Sequence, residues 1–298
     1  MCQSHSTLST QHLRSKTALG CVGFKMEFMK IPADKLGAGA KIGICVYEGE
    51  EEVYRELAKC MIDAIESNNA AGRHTVMIVP VGPTGQYAFF VSMVNQNKVA
   101  LDKCWFINMD EYLGEDDGYI DEFHPLSFRG FMKREVFREL HSPPPDEQLV
   151  FPDPMNPAAT DELIEKLGGA DLCIGGIGIN GHVAFNEPIK DLPPCDFLGL
   201  STRVLSIAPE TLAVNAVSAL GGAFELMPRR CVTVGMKQIA ASRKVRLAAF
   251  RDWHRYAVRR AAYGEAGSDF PVSLLQGHPD AMLLITSNCA RPPGQLVS

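Results

Sequence analysis

Residues 171–188 read "DLCIGGIGINGHVAFNEP". Leu172-Cys173-Ile174 is the kind of continuous apolar run that a parallel strand covered on both faces displays. The fourteen residues after it, 175–188, hold four glycines, two asparagines, one histidine and one glutamate. Gly176, Gly178 and Gly181 match the spacing G-x-G-x-x-G. A dinucleotide fold is nevertheless not supported, because Pro188 stops a helix from following and no second strand ends in an acid. Asn180, His182, Asn186 and Glu187 point instead to a histidine whose tautomer is held by a carboxylate, a pair suited to acid–base work near neutrality.

Working outward, apolar runs alternate with helical patterns. Strands are predicted at 41–47, 74–81, 103–110, 170–178, 230–236, 244–250 and 281–286, with one short strand within 143–154. Helices are predicted at 49–68, after the "GPTG" turn at 82–85, and at 127–139, 157–168, 209–220 and 252–264. Such alternation builds right-handed βαβ units, hence an α/β fold with a doubly wound, mostly parallel sheet in three αβα layers of modified Rossmann type. No internal repeat or linker divides it, so residues 39–288 form one domain. Residues 1–38 are expected to be a poorly packed extension, with a start at Met26 also plausible, and 289–298 an irregular tail.

Composition excludes several classes. Among 298 residues, 46% hydrophobic and 21% charged content suits a globular protein, and a net charge of −6 gives no reason to expect nucleic acid. No apolar run approaches the roughly 20 residues that span a bilayer. Nine cysteines without a CxxC pair argue for a reduced, cytoplasmic protein. The eight histidines form no ligand spacing, so neither a metal nor another cofactor is expected.

In such sheets ligands bind beyond the carboxyl ends of the strands, and two further strand ends carry chemistry. "PVGPTGQ" (80–86) brings Gly82, Pro83 and Thr84 to a helix start, a seat for an anion although not a P-loop. "NMDEY" (108–112) places Asp110 and Glu111 directly after an apolar strand.

Together, "PVGPTGQ", "NMDEYLG" with "HPLSF" after it, and "GGIGINGHVAFNEP" resemble the glucosamine-6-phosphate deaminase/isomerase family. "CVTVGMKQI" (231–239) and "VSLLQGHPDAMLLI" (272–285) extend the likeness over roughly 42–286. The related 6-phosphogluconolactonases share the Gly-His element but typically lack "FNEP". The resemblance implies conversion of an amino-sugar phosphate to a ketose phosphate and ammonia, without a cofactor. It implies Asp110 as the base moving a proton between C2 and C1, His182 as the ring-opening group, Glu187 as its partner, and Gly82, Pro83 and Thr84 around the phosphate. Glu111 and Gly181 belong to the same substrate-side motifs. The family includes monomers and hexamers, so a homo-oligomer is compatible with it. A lactonase or another aldose–ketose isomerase is the alternative, and a non-catalytic sugar-phosphate sensor a more distant one.

Two departures from the family pattern stand out. Asn180 replaces the usual aspartate; it can orient His182 but supplies no charge to favour imidazolium. The helix "PETLAVNAVSAL" (209–220) lacks the family's arginine, and "FRDWHRY" (250–256) puts His254 where a lysine is usual. Arg203, Lys237, Arg251 and His254 are the candidates for holding the phosphate, while Arg259 and Arg260 are expected on a solvated helix face.

Overall fold

The computed structural model describes residues 24–294. Seven parallel strands form its main sheet: β1 (Gly43–Tyr47), β2 (Thr75–Val79), β3 (Cys104–Asn108), β5 (Leu149–Val150), β6 (Leu172–Gly176), β9 (Lys244–Ala249) and β10 (Ala281–Thr286). Their order is β1-β10-β9-β6-β2-β3-β5. The connections from β2 run outward through β3 to β5, and those from β6 run the other way through β9 to β10. The carboxyl ends of adjacent β2 and β6 therefore flank the switch point, where such sheets open a crevice.

Period-two alternation divides the core. Val76 and Ile78 of β2 pack on one face with Ile164, Ile239 and Val258. Met77 and Val79 pack on the other with Leu57, Phe90 and Met132. The first face is covered by α4 (Ala158–Lys166), α7 (Met236–Ala241) and α8 (His254–Tyr263), the second by α1 (Glu50–Ala70), α2 (Gln86–Asn97) and α3 (Phe128–Phe131). Truncating a side chain as enclosed as Leu57, which is 0% exposed, costs about 2–5 kcal/mol.

A second, three-stranded antiparallel sheet was not expected. It joins β4 (Asp110–Leu113), β8 (Arg230–Thr233) and β7 (Arg203–Ser206) in the order β4-β8-β7. The predicted strand 103–110 breaks at Met109, whose N–H donates to the Val79 carbonyl while its own carbonyl accepts from the Val234 N–H. One residue thus hands the chain from the main sheet to the small one. The small sheet shelters Tyr112, Phe185, Ile207 and Leu212 beneath α6 (Pro209–Leu220). Two short helices, α5 (Pro194–Leu198) and α9 (Ser287–Ala290), complete the chain.

The chain ends pack further out than expected. Residues 1–23 and 295–298 lie outside the described residues, but Phe24–Lys30 and Ala33–Lys35 form 3-10 turns, and Met29, Cys289 and Ala290 are buried. Arg259 holds these ends together, which corrects its expected place on a solvated face. It is 0% exposed and donates to the carbonyls of Ile31, Ala290 and Arg291 at 2.7–2.9 Å. Carbonyls from both chain ends replace its lost hydration. Arg260 instead pairs with Asp269 and is partly exposed.

Candidate active site

A cavity of about 1000 Å³ opens at the switch point. Its floor comes from the ends of β2 (Gly82, Pro83, Thr84) and β6 (Gly176, Ile177, Gly178), and one wall comes from the α6 face Ala213, Val214 and Val217. The two strand-end loops touch, since a Cβ at Gly176 would stand 3.1 Å from the Gly82 carbonyl oxygen.

His182 lines this cavity, and its Nδ1 is enclosed by oxygens. The Asn180 amide nitrogen donates to Glu187 Oε2 at 2.7 Å and to Glu210 Oε1 at 3.3 Å, which turns Asn180 Oδ1 toward His182. That oxygen lies 2.8 Å from His182 Nδ1, and Glu187 Oε2 lies 3.3 Å from it. With acceptors on that side, Nδ1 carries the proton and Nε2 is the nitrogen left for a ligand. Glu187 also accepts from the Ala208 N–H at 3.1 Å and the Thr211 hydroxyl at 3.2 Å. Burial pushes the Glu187 carboxyl up, but the donors His182, Asn180 and Thr211 outweigh it and hold the group below the usual range. Gly178 is required here because a Cβ would overlap the His182 ring, and Gly181, at φ +82°, lies under the Phe270 ring.

Asp110, the first residue of β4, also lines the cavity and is 7% exposed. Among the described residues, none donates a hydrogen bond to its carboxylate. Burial, aided by the neighbouring Glu111, pushes its carboxyl up to about 8. A carboxyl poised there can take up and return a proton near neutral pH.

The other expected contacts divide. Glu111 faces away from the cavity: it accepts the N–H groups of Tyr112, Phe128 and Arg129 at 2.7–3.0 Å and the Ser127 hydroxyl at 3.1 Å. It anchors the start of α3 instead of meeting a substrate. Arg203 donates to Asn186 Oδ1 at 2.8 Å, and Lys237 pairs with Glu165 at 2.7 Å; neither lines the cavity. Gly181 is outside the lining too. His254 does line it, but both ring nitrogens are taken. Nδ1 accepts the Phe250 and Arg251 N–H groups, and Nε2 donates to the Ile177 carbonyl at 2.9 Å. Burial holds it neutral, down to about 4. It braces the β9 end against the β6 end and offers no cation. Arg251 lines the rim with a largely exposed side chain. Among the described residues, no three His, Cys, Asp or Glu side chains gather as metal ligands.

Sequence reasoning missed Thr211, Asn215, Tyr54 and the aromatic pair Phe128 and Phe185, all in the lining. Thr211 had a local signal, a hydroxyl in the first turn of a helix that follows the histidine loop. The aromatics carried none, since an isolated Phe reads as core.

No protein-family model matches the chain. Among curated proteins, it is 30% identical over 236 residues to glucosamine-6-phosphate deaminase 2 of Bacillus subtilis (strain 168), covering 76% of this chain and 89% of that one. The chain belongs to the glucosamine-6-phosphate deaminase family. A glucosamine-6-phosphate deaminase of Hahella chejuensis is 29% identical over 252 residues, 83% of this chain and 90% of the other. Among solved structures, a monomeric glucosamine-6-phosphate deaminase superimposes with a TM-score of 0.72 at 23% identity, over 83% of this chain and 98% of that chain. The 6-phosphogluconolactonase of Trypanosoma cruzi follows the same fold less closely, with a TM-score of 0.61 at 16% identity over 83% of this chain and 95% of that chain. Against this family background the expected α/β fold holds, and no helix among the described residues is long and apolar enough to cross a membrane.

Proposed function

We propose that this family member converts a 2-amino-2-deoxy-hexose 6-phosphate to a ketose 6-phosphate and ammonia, glucosamine 6-phosphate being the sugar its relatives are named for. One observation carries the residue roles: two strand ends deliver a buried carboxyl to which none of the described residues donates, Asp110, and an oriented imidazole, His182, into one cavity.

In this reading His182 Nε2 takes the proton of the anomeric hydroxyl as the ring opens, and the ring oxygen is protonated. Asp110 then removes the C2 proton, and O1 gains a proton to give an enolamine. Asp110 returns its proton to C1, leaving an iminium at C2. Water adds at C2 and ammonia leaves. From the protonated amine, one water is consumed and one ammonium released, so atoms and charge balance. Both steps need the acid–base groups the cavity supplies, each contributing about 10²–10⁴-fold. The buried cysteines, Cys104, Cys173 and Cys231 among them, fit a reducing compartment, and we place the enzyme in the cytoplasm.

The test is incubation with glucosamine 6-phosphate and galactosamine 6-phosphate. Equal amounts of ammonia and ketose phosphate are expected from at least one. Hydrolysis of a phosphorylated sugar lactone with no ammonia from either amino sugar would favour lactonase chemistry instead.

A further inference from the structure

We infer that Arg251 is the residue through which this site recognises the distal phosphate, and that the unphosphorylated 2-amino-2-deoxy-hexose is a substrate as well. The inference rests on the deaminase reading and deepens it.

It follows from where the cations go. Lys237 is spent on Glu165 and Arg203 on Asn186, both outside the cavity lining. Arg255 lies outside it too, and donates to Asn288 and Asp252. His254 faces the cavity with both nitrogens bound to main chain, so it cannot donate to an anion. The α6 wall presents Ala213, Val214 and Val217 beside the neutral Thr211, Asn215 and Ser218, and so offers no cation. Among the described residues, Arg251 is the one cation in the lining. Its side chain is 62% exposed and its ion partner, Glu50, stands 3.8 Å away, a loose contact that an anion can displace.

Arg251 also stands on the side of the β2-end loop. Glu50 accepts from the Tyr54 hydroxyl at 3.2 Å, and the Tyr54 ring packs so closely on Gly85 that a Cβ there would lie 2.5 Å from it. A phosphate beside Arg251 thus sits near Gly82, Pro83 and Thr84. There it meets one cation, Arg251, and the neutral hydroxyl of Thr84, in a cavity otherwise walled near Arg251 by Phe250 and Trp253. One charge-assisted contact of this kind discriminates by about 10- to 100-fold. Because the contact is equal in ground and transition states, the preference falls on KM.

The experiment compares kcat and KM for glucosamine 6-phosphate and glucosamine in the wild type, Arg251→Ala and Arg251→Lys. In the wild type, kcat/KM for the phosphorylated sugar should exceed that for glucosamine by about 10- to 100-fold. The ratio should fall toward one in Arg251→Ala, mainly through a higher KM for the phosphorylated sugar, and partly recover in Arg251→Lys. Ammonia from glucosamine 6-phosphate alone, or an unchanged ratio in Arg251→Ala, would overturn this inference and leave the deaminase reading standing. Ammonia from neither sugar, and none from galactosamine 6-phosphate in the same assay, would overturn both.

Discussion

Asp110 and Glu111 are consecutive carboxylates on one strand, both buried, yet they live in opposite surroundings. Successive side chains of β4 point to opposite faces. Glu111 is turned toward α3, where three N–H groups and one hydroxyl converge on it and Arg129 stands 3.6 Å away. Asp110 is turned toward the cavity, where none of the described residues donates to it and burial raises it to about 8. Burial pushes both carboxyls up, but in Glu111 the donors oppose it. The pair shows that burial leaves a carboxyl free to carry a proton only where donors do not hold it. One carboxylate is structural because its charge is satisfied. The other can carry a proton because its charge is not.

This comparison can be broken in several ways. The largest effect expected is on pH dependence: if Asp110 must be ionised to act, kcat/KM should fall about tenfold per unit as pH drops below about 8. A rate profile from pH 5.5 to 9 reads this directly. Glu111→Ala should act on stability instead, because four donors lose their acceptor; a loss of about 2 kcal/mol would lower Tm by about 4–8 °C, measured by calorimetry. Gly178→Ala tests the His182 side, where the added methyl must displace the imidazole. The expected result is about a tenfold fall in kcat with a change in Tm of only a degree or two.

The smallest effect separates the two carboxylates by sign. The folded-state value of Asp110, about 8, lies well above the usual aspartate value of about 4. Its contribution to stability is therefore fully present below about pH 4 and is lost as pH rises through about 8. Asp110→Asn escapes that loss. It should melt about 2–4 °C above the wild type at pH 8.5 and show no gain at pH 4.

Much of this was legible in the sequence, for reasons that also explain the gaps. His182, Asn180 and Glu187 share one loop, so their meeting needs only local turns. The strands β2, β6, β9 and β10 are apolar runs punctuated by Gly, Pro or charge, and α6 begins and ends where its proline and glycine pair set it. The facing of Asp110 and Glu111 was not legible. It depends on the chain changing sheets at Met109, a break that no Gly or Pro marks, and on donors at Ser127–Arg129. His254 looked like a phosphate ligand because it stands where the family has a lysine, but its Nε2 donates to the carbonyl of Ile177, 77 residues away in the chain. Arg259 misled in the same manner, its acceptors coming from both chain ends.

The most direct measurement is ammonia release from glucosamine 6-phosphate by the wild type and by Asp110→Asn at pH 8, with Tm recorded on the same samples. The account predicts release by the wild type and a loss of about 10²–10⁴-fold in the variant, with Tm unchanged or higher. Release at the wild-type rate from a folded Asp110→Asn protein would contradict it, because the Asp110 carboxyl would then have no part in moving the proton.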